Sequence, residues 1–273
     1  MKTFCFLVGF LLTTTTFAID PERTYNRTPR SINAKFDSLF VNTKDNLSIY
    51  TWIYYPSPEK DNNKVIVLAS TDKGNMGNWV FFAGVFLENG FTVVTFDYRG
   101  FGKSSDFSIN KNNLYYIEFS NDLVAVVKKT KAMFPNKHIG VWALSMGSMV
   151  LVKSLNQING DLDFVILDGF ITNIERVSKR IWNQKKNRVV LPESNRSYNQ
   201  SLQKLTLPAL IFAASKDQIT TAQDARDFER SSIGKNVQVV VYEGEHLRGF
   251  QAGDGPFGEF YLNKINSFLQ GQL

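Results

Sequence analysis

The chain has 273 residues, of which 43% are hydrophobic and 21% charged, and a formal net charge of +6. That length suits one α/β domain with a substantial core, falls short of two ordinary domains plus a linker, and excludes a disordered chain on composition. The mild positive charge shows no interleaving of arginine with aromatics, so no nucleic-acid partner is expected, and a single cysteine, Cys5, excludes a disulfide framework and a thiolate metal site.

At the start of the chain, Lys2, an apolar run over 4–12, a threonine tract and Thr16-Phe17-Ala18 read as a secretory signal with small-x-small cleavage after Ala18. The run is too short to span a bilayer, so export to the periplasm or medium is expected, with an N-terminal membrane anchor as the alternative. Cleavage removes Cys5 and Lys2, which lowers the net charge to +5. A polar lead-in over 20–35 follows. Residues 36–41 and 47–55 then read as a hairpin about the turn at 42–46.

Short apolar runs at 65–69, 92–96, 139–144, 164–167, 209–213 and 237–241 read as central strands. Helix-length segments near 77–89, 117–134, 146–158 and 221–231 lie between them, and an amphipathic stretch covers 259–269. The alternation predicts a mostly parallel sheet of about eight strands flanked by helices, with a site at the carboxyl ends of the strands. The mature domain is 19–273. Residues 171–204 break the pattern with a long polar, basic connection containing Trp182, Pro192 and Tyr198. Such a segment needs structure of its own, as a lid over the site or as a surface excursion. Its cations, Arg176, Lys179, Arg180, Lys185, Lys186 and Arg188, read as a solvated helix face; the sharper readings are peripheral contact with an anionic membrane through 176–188 or attraction of acidic substrates.

Ser145 lies in Ala143-Leu144-Ser145-Met146-Gly147, where an apolar strand meets a helix through a turn that tolerates only small neighbours. That is how a nucleophilic serine is displayed. A serine hydroxyl needs a base, and this chain has two histidines. His138 precedes the strand leading into Ser145, at the wrong end. His246 follows the strand at 237–241, on the serine's side of the sheet. Asp217, just past the strand at 209–213, is the first choice to orient the imidazole; Asp168 also ends a strand and is the competitor. Glu243 and Glu245 are too close in sequence to His246 for that task. The backbone N–H of Met146 is one oxyanion donor, and a second is expected from the glycine-containing loop 70–78.

The segment Asp97-Tyr98-Arg99-Gly100-Phe101-Gly102-Lys103-Ser104, the serine turn, Leu207-Pro208-Ala209, Lys216-Asp217 and His246 occur in an order that resembles the α/β-hydrolase superfamily, specifically its BEM46-like serine-hydrolase branch. The resemblance covers about residues 45–270. It implies an α/β-hydrolase fold with a short cap insertion and a triad of Ser145, Asp217 and His246 that acts on a carboxylic ester or related acyl compound, with no metal or organic cofactor. Relatives carry His-Gly-Asn-Ala-Gly-Asn where this chain has Ser70-Thr71-Asp72-Lys73-Gly74-Asn75. That alignment makes the N–H of Asp72 the second oxyanion donor and sets a carboxylate beside the developing charge. A peptidase or acyltransferase with the same triad, and a non-catalytic hydrolase-like binding protein, are the alternatives. Oligomeric state is not legible.

Overall fold

Strands that are apolar on both faces need helices on both sides. The computed structural model, which describes residues 17–232 and 236–273, has that arrangement. Apart from Phe17 and Ala18, the expected signal segment lies outside the described residues. In chain order the elements are β1 (Asp20–Pro21), β2 (Lys35–Asn42), β3 (Ser48–Tyr55), β4 (Lys64–Ala69), β5 (Lys73–Gly74), α1 (Val80–Glu88) and β6 (Phe91–Phe96). Then come α2 (Tyr116–Met133), β7 (His138–Leu144), α3 (Met146–Ile158), β8 (Phe164–Asp168), α4 (Ile174–Lys185) and α5 (Asn195–Leu202). The chain finishes with β9 (Ala209–Ala214), α6 (Ala222–Ser231), β10 (Val237–Tyr242) and α7 (Glu259–Gln270).

Eight strands form one sheet in the order β10-β9-β8-β7-β4-β6-β3-β2. β3 runs antiparallel to both neighbours, and every other pair is parallel. Side chains alternate between two cores as strand geometry requires. Val65, Val67 and Ala69 of β4 join Phe119 and Leu123 of α2 and Val150 and Leu155 of α3 on one face. Ile66 and Leu68 join Val80 and Phe86 of α1 and Tyr261 and Ile265 of α7 on the other. No helix among the described residues is long and apolar enough to cross a membrane.

Two features of the frame bear on the site. The Asp97-Tyr98-Arg99 segment, just past β6, is a brace: Arg99, 3% exposed, grips the fully buried Asp122 of α2 through Nε at 2.9 Å and Nη2 at 2.7 Å, and Asp45 in the first hairpin through Nη1 at 2.6 Å. The Asp97 carboxyl, pushed up to about 6 by burial, accepts the Met76 N–H at 2.8 Å and the Tyr25 hydroxyl, while Tyr98 Oη donates to the Ser70 carbonyl at 3.3 Å. Both ends of the loop after β4 are therefore held.

The second feature was not legible in the polar lead-in. Its first residues form β1, which pairs in parallel with β5 inside that same loop: Asp20 N–H donates to the Asp72 carbonyl and Glu22 N–H to the Gly74 carbonyl, each at 2.9 Å. Ile19 is fully buried beside it. A two-residue strand has no periodicity to read.

Candidate active site

Ser145 joins β7 to α3 with φ 50° and ψ −115°, a left-handed conformation that L residues rarely adopt. The turn is that tight because α3 begins against the end of β4: a Cβ on Gly147 would stand 2.0 Å from the Ala69 carbonyl oxygen. The strained residue is held from both sides, its N–H donating to the Asp168 carbonyl at 2.9 Å and its carbonyl accepting from Ser148 N–H at 2.9 Å.

The residues expected to meet Ser145 do so. His246, in the loop after β10, has Nε2 3.1 Å from Ser145 Oγ and Nδ1 2.6 Å from Asp217 Oδ2. Asp217, 7% exposed beyond β9, also accepts the N–H groups of Ile219 and Thr220 and the Thr220 hydroxyl. Burial pushes its carboxyl up, but the bonds from His246, Thr220 and Ile219 outweigh it and hold it below the ordinary carboxylate value. An ionised carboxylate only accepts, so Nδ1 carries the imidazole hydrogen and Nε2 presents its lone pair to the serine. A proton can pass from Oγ to Nε2.

Asp168 has a different place. Its side chain is 3% exposed and faces the Tyr242 hydroxyl at 3.4 Å, and burial pushes it up to about 7. Its backbone carbonyl supports Ser145, whereas no hydrogen bond joins its carboxyl to His246. His138 opens β7 at the opposite end of the sheet, its Nδ1 3.6 Å from Asp163 Oδ1. Gly169 escaped the sequence reading. It has φ 64°, and a Cβ there would stand 2.6 Å from His246 Cε1, so the imidazole occupies space that only glycine leaves open.

Met146 and Asp72, named as backbone donors, both line the cavity beside Ser145. That cavity, about 80 Å³, is walled mainly by Met149, Ile174, Val177, Ile181 and Leu191. It adjoins, beside Ser145, a vestibule of about 330 Å³ walled by Lys73, Lys185, Asn187 and His246 together with Phe17 and Ala18, the last two residues of the expected signal segment. A larger groove of about 1060 Å³ runs along α1 past Phe81 and Phe257 and holds none of the candidate residues. Among the described residues, no group of three or more His, Cys, Asp or Glu is disposed to hold a metal ion.

Segment 171–204 folds as α4 and α5, and α4 roofs the small cavity with Ile174, Val177 and Ile181. That apolar spacing and the cap at Asn173, which accepts from Arg176 N–H at 2.8 Å, were the readable signals for α4. The basic run is not one solvated face. Arg176 and Arg180 both pair with Asp224 of α6, which is 6% exposed, and so tie α4 down. Lys179, Lys185, Lys186 and Arg188 form no ion pair among the described residues.

A family model described as serine aminopeptidase, S33, matches residues 61–193, just under half the chain. An uncharacterised 31.7 kDa protein from the traX-finO intergenic region of Escherichia coli is 35% identical over 68 residues, 24% of this chain and 23% of that one. A probable lysophospholipase L2 of Haemophilus influenzae is 25% identical over 134 residues, 49% of this chain and 42% of that one. The chain thus matches less than half the length of these curated relatives. Over almost its whole length it superposes on the Pyrococcus furiosus esterase Pf2001, with a TM-score of 0.72, 20% identity and coverage of 93% of this chain and 99% of that one. The fold is that of the α/β hydrolases.

The strain at Ser145 has a measurable consequence. Ser145→Gly relieves a conformation costing about 1–3 kcal/mol and loses about 0.5–1 kcal/mol to backbone entropy. The variant is predicted to be more stable by about 1 kcal/mol in chemical denaturation; an unchanged or lowered midpoint would contradict the strain.

Proposed function

We propose that this α/β hydrolase is a serine hydrolase that cleaves a carboxylic ester or related acyl compound through an acyl-enzyme. The observation that carries the reading is the continuous line Ser145 Oγ, His246 Nε2, His246 Nδ1, Asp217 Oδ2, with steps of 3.1 Å from serine to imidazole and 2.6 Å from imidazole to carboxylate. Ser145 attacks the acyl carbon as His246 takes its proton, and Asp217 stabilises the imidazolium. The Met146 N–H and a donor from the loop at Asp72 hold the oxyanion. Collapse of the tetrahedral intermediate expels the leaving group, which takes the proton from Nε2. Water, deprotonated by the same nitrogen, then releases the acid.

The shape of the site supports an assignment of substrate parts. The apolar cavity under α4 suits the acyl group, and the wider vestibule, which carries Lys73, Lys185, Asn187 and His246, suits the leaving group. At about 80 Å³ the cavity has about half the volume of one that holds benzene, roughly 150 Å³. That is room for about three or four carbons. In this reading 171–204 acts as a lid. The Pyrococcus furiosus relative named an esterase and the Haemophilus influenzae relative named a probable lysophospholipase agree with ester chemistry, whereas the serine aminopeptidase model favours amide cleavage as the second reading. Export belongs to the same proposal, with the mature chain starting at Ile19.

Three measurements address these points. Ser145→Ala should lose all hydrolysis of a butyryl nitrophenyl ester and all fluorophosphonate labelling; retention of either by the variant removes Ser145 from the mechanism. Across straight-chain esters, kcat/KM should rise by roughly fourfold per methylene, the ~0.8 kcal/mol of its burial, up to about four carbons and then fall. Val177→Ala should move that peak out by one or two carbons, and a peak that stays put argues against the acyl cavity. N-terminal sequencing of exported protein should begin at Ile19, and a chain still carrying Cys5 would refute cleavage.

A further inference from the structure

Lys73 and Lys185 stand on the wall of the vestibule beside Ser145 and His246. Neither lysine forms an ion pair or a side-chain hydrogen bond among the described residues. Asn187 lines the same cavity, is only 9% exposed, and its side-chain amide has no hydrogen-bond partner among the described residues. An amide offers two N–H donors and an acceptor, and leaving them unpaired in a buried place costs free energy that a bound polar ligand recovers.

The backbone brings these groups together. α4 ends at Lys185, and Lys186 then turns the chain with φ 51°, its N–H donating to the Trp182 carbonyl at 3.0 Å. A left-handed residue after a helix redirects the chain. Lys185 and Asn187 accordingly line the cavity, and Lys186 between them does not. Lys73 comes from β5, where pairing opposite Asp20 of β1 fixes its backbone.

We propose that Lys73, Lys185 and Asn187 form an anion subsite for the leaving group, so that the substrate is an acyl ester whose alcohol carries a carboxylate or a phosphate. This rests on the serine-hydrolase reading above. Ammonium groups attract either acid, and the Asn187 amide donates to one of its oxygens. Asp72 is the acid on this wall among the described residues, and its carboxyl interacts with both lysines and with His246. Two lysines outnumber it, so the wall keeps a positive balance that a bound anion neutralises. The vestibule, about 330 Å³, has roughly twice the volume that holds benzene, which admits a small alcohol with an acid group at its end. All three subsite residues belong to the domain 19–273, so the subsite does not need Phe17 and Ala18.

The test uses the full-length protein and butyryl esters of 4-hydroxybutanoate, of its methyl ester, and of 3-hydroxypropyl phosphate. For the wild type, kcat/KM for at least one of the two acids should exceed that for the methyl ester by roughly 10- to 100-fold, the worth of a charge-assisted hydrogen bond. That ratio should shrink as salt rises from about 0.01 to 1 M, because partly exposed charges are screened. The acid with the larger ratio identifies the anion. Lys73→Gln combined with Lys185→Gln should bring the ratio close to one, and Asn187→Ala should lower it several-fold; a ratio taken within one variant cancels any general loss of activity. A wild-type ratio at or below one for both acids overturns the proposal, as does a ratio that the double lysine variant leaves unchanged. If that variant does not fold, the wild-type salt series decides, and a ratio insensitive to salt overturns the subsite. A wild type that cleaves none of the esters and takes no fluorophosphonate refutes the hydrolase reading and this one with it; one that is labelled yet shows no preference, or cleaves none of the three, refutes this one alone.

Discussion

The site depends on how closely α3 can approach the end of β4. At Gly147 there is no room for a methyl group against the Ala69 carbonyl, and this contact sharpens the turn that projects Ser145. A side chain at Gly147 would push α3 outward, relax the left-handed serine and lengthen its 3.1 Å contact with His246. Packing at this position also brings three strand ends together: β7 carries the serine, β4 leads into the loop of Asp72, and β8 supplies the Asp168 carbonyl that holds Ser145 N–H.

Around that contact, the Asp-Tyr-Arg-Gly segment acts as scaffold. Arg99 fastens β6 to α2 and to the first hairpin, while Asp97 and Tyr98 clamp the loop after β4 at Met76 and Ser70. Buried ion pairs contribute little net stability, because desolvation offsets most of their attraction. Their geometric precision matters more here, since they fix the backbone of a loop that borders Ser145. The pairing of β1 with β5 adds a third restraint in the middle of that loop, at Lys73 and Gly74.

What was legible in the sequence follows from locality. The runs of Val, Ile and Leu that became β4, β6, β7, β8 and β9 are buried on both faces, so their composition alone identified them. Ser145, Asp217 and His246 could be read because two histidines left little choice and chain order assigned each residue to an end of the sheet. The rest hung on partners distant in sequence. Arg176 and Arg180 looked solvated because Asp224, which binds them, lies more than forty residues on. Gly169 carried no signal by itself; its need for glycine comes from an imidazole 77 positions later, at 246. Polar composition hid α5 and most of α4, whose few apolar residues, Ile174, Val177, Tyr198 and Leu202, join the core that also holds α2 and α3.

The strand order distributes the candidate site residues unevenly. Ser145 stands on β7, which has β4 on one side and β8 on the other, whereas His246 follows β10, an edge strand with a single neighbour and partly exposed side chains. Opening an edge requires less free energy than opening the middle of a sheet. Fraying of β10 would withdraw the imidazole and uncover Tyr242, while the serine turn after β7, in the middle of the sheet, stays in place. Thermal loss of function would then precede global melting and be governed by the edge rather than by the buried aromatic core.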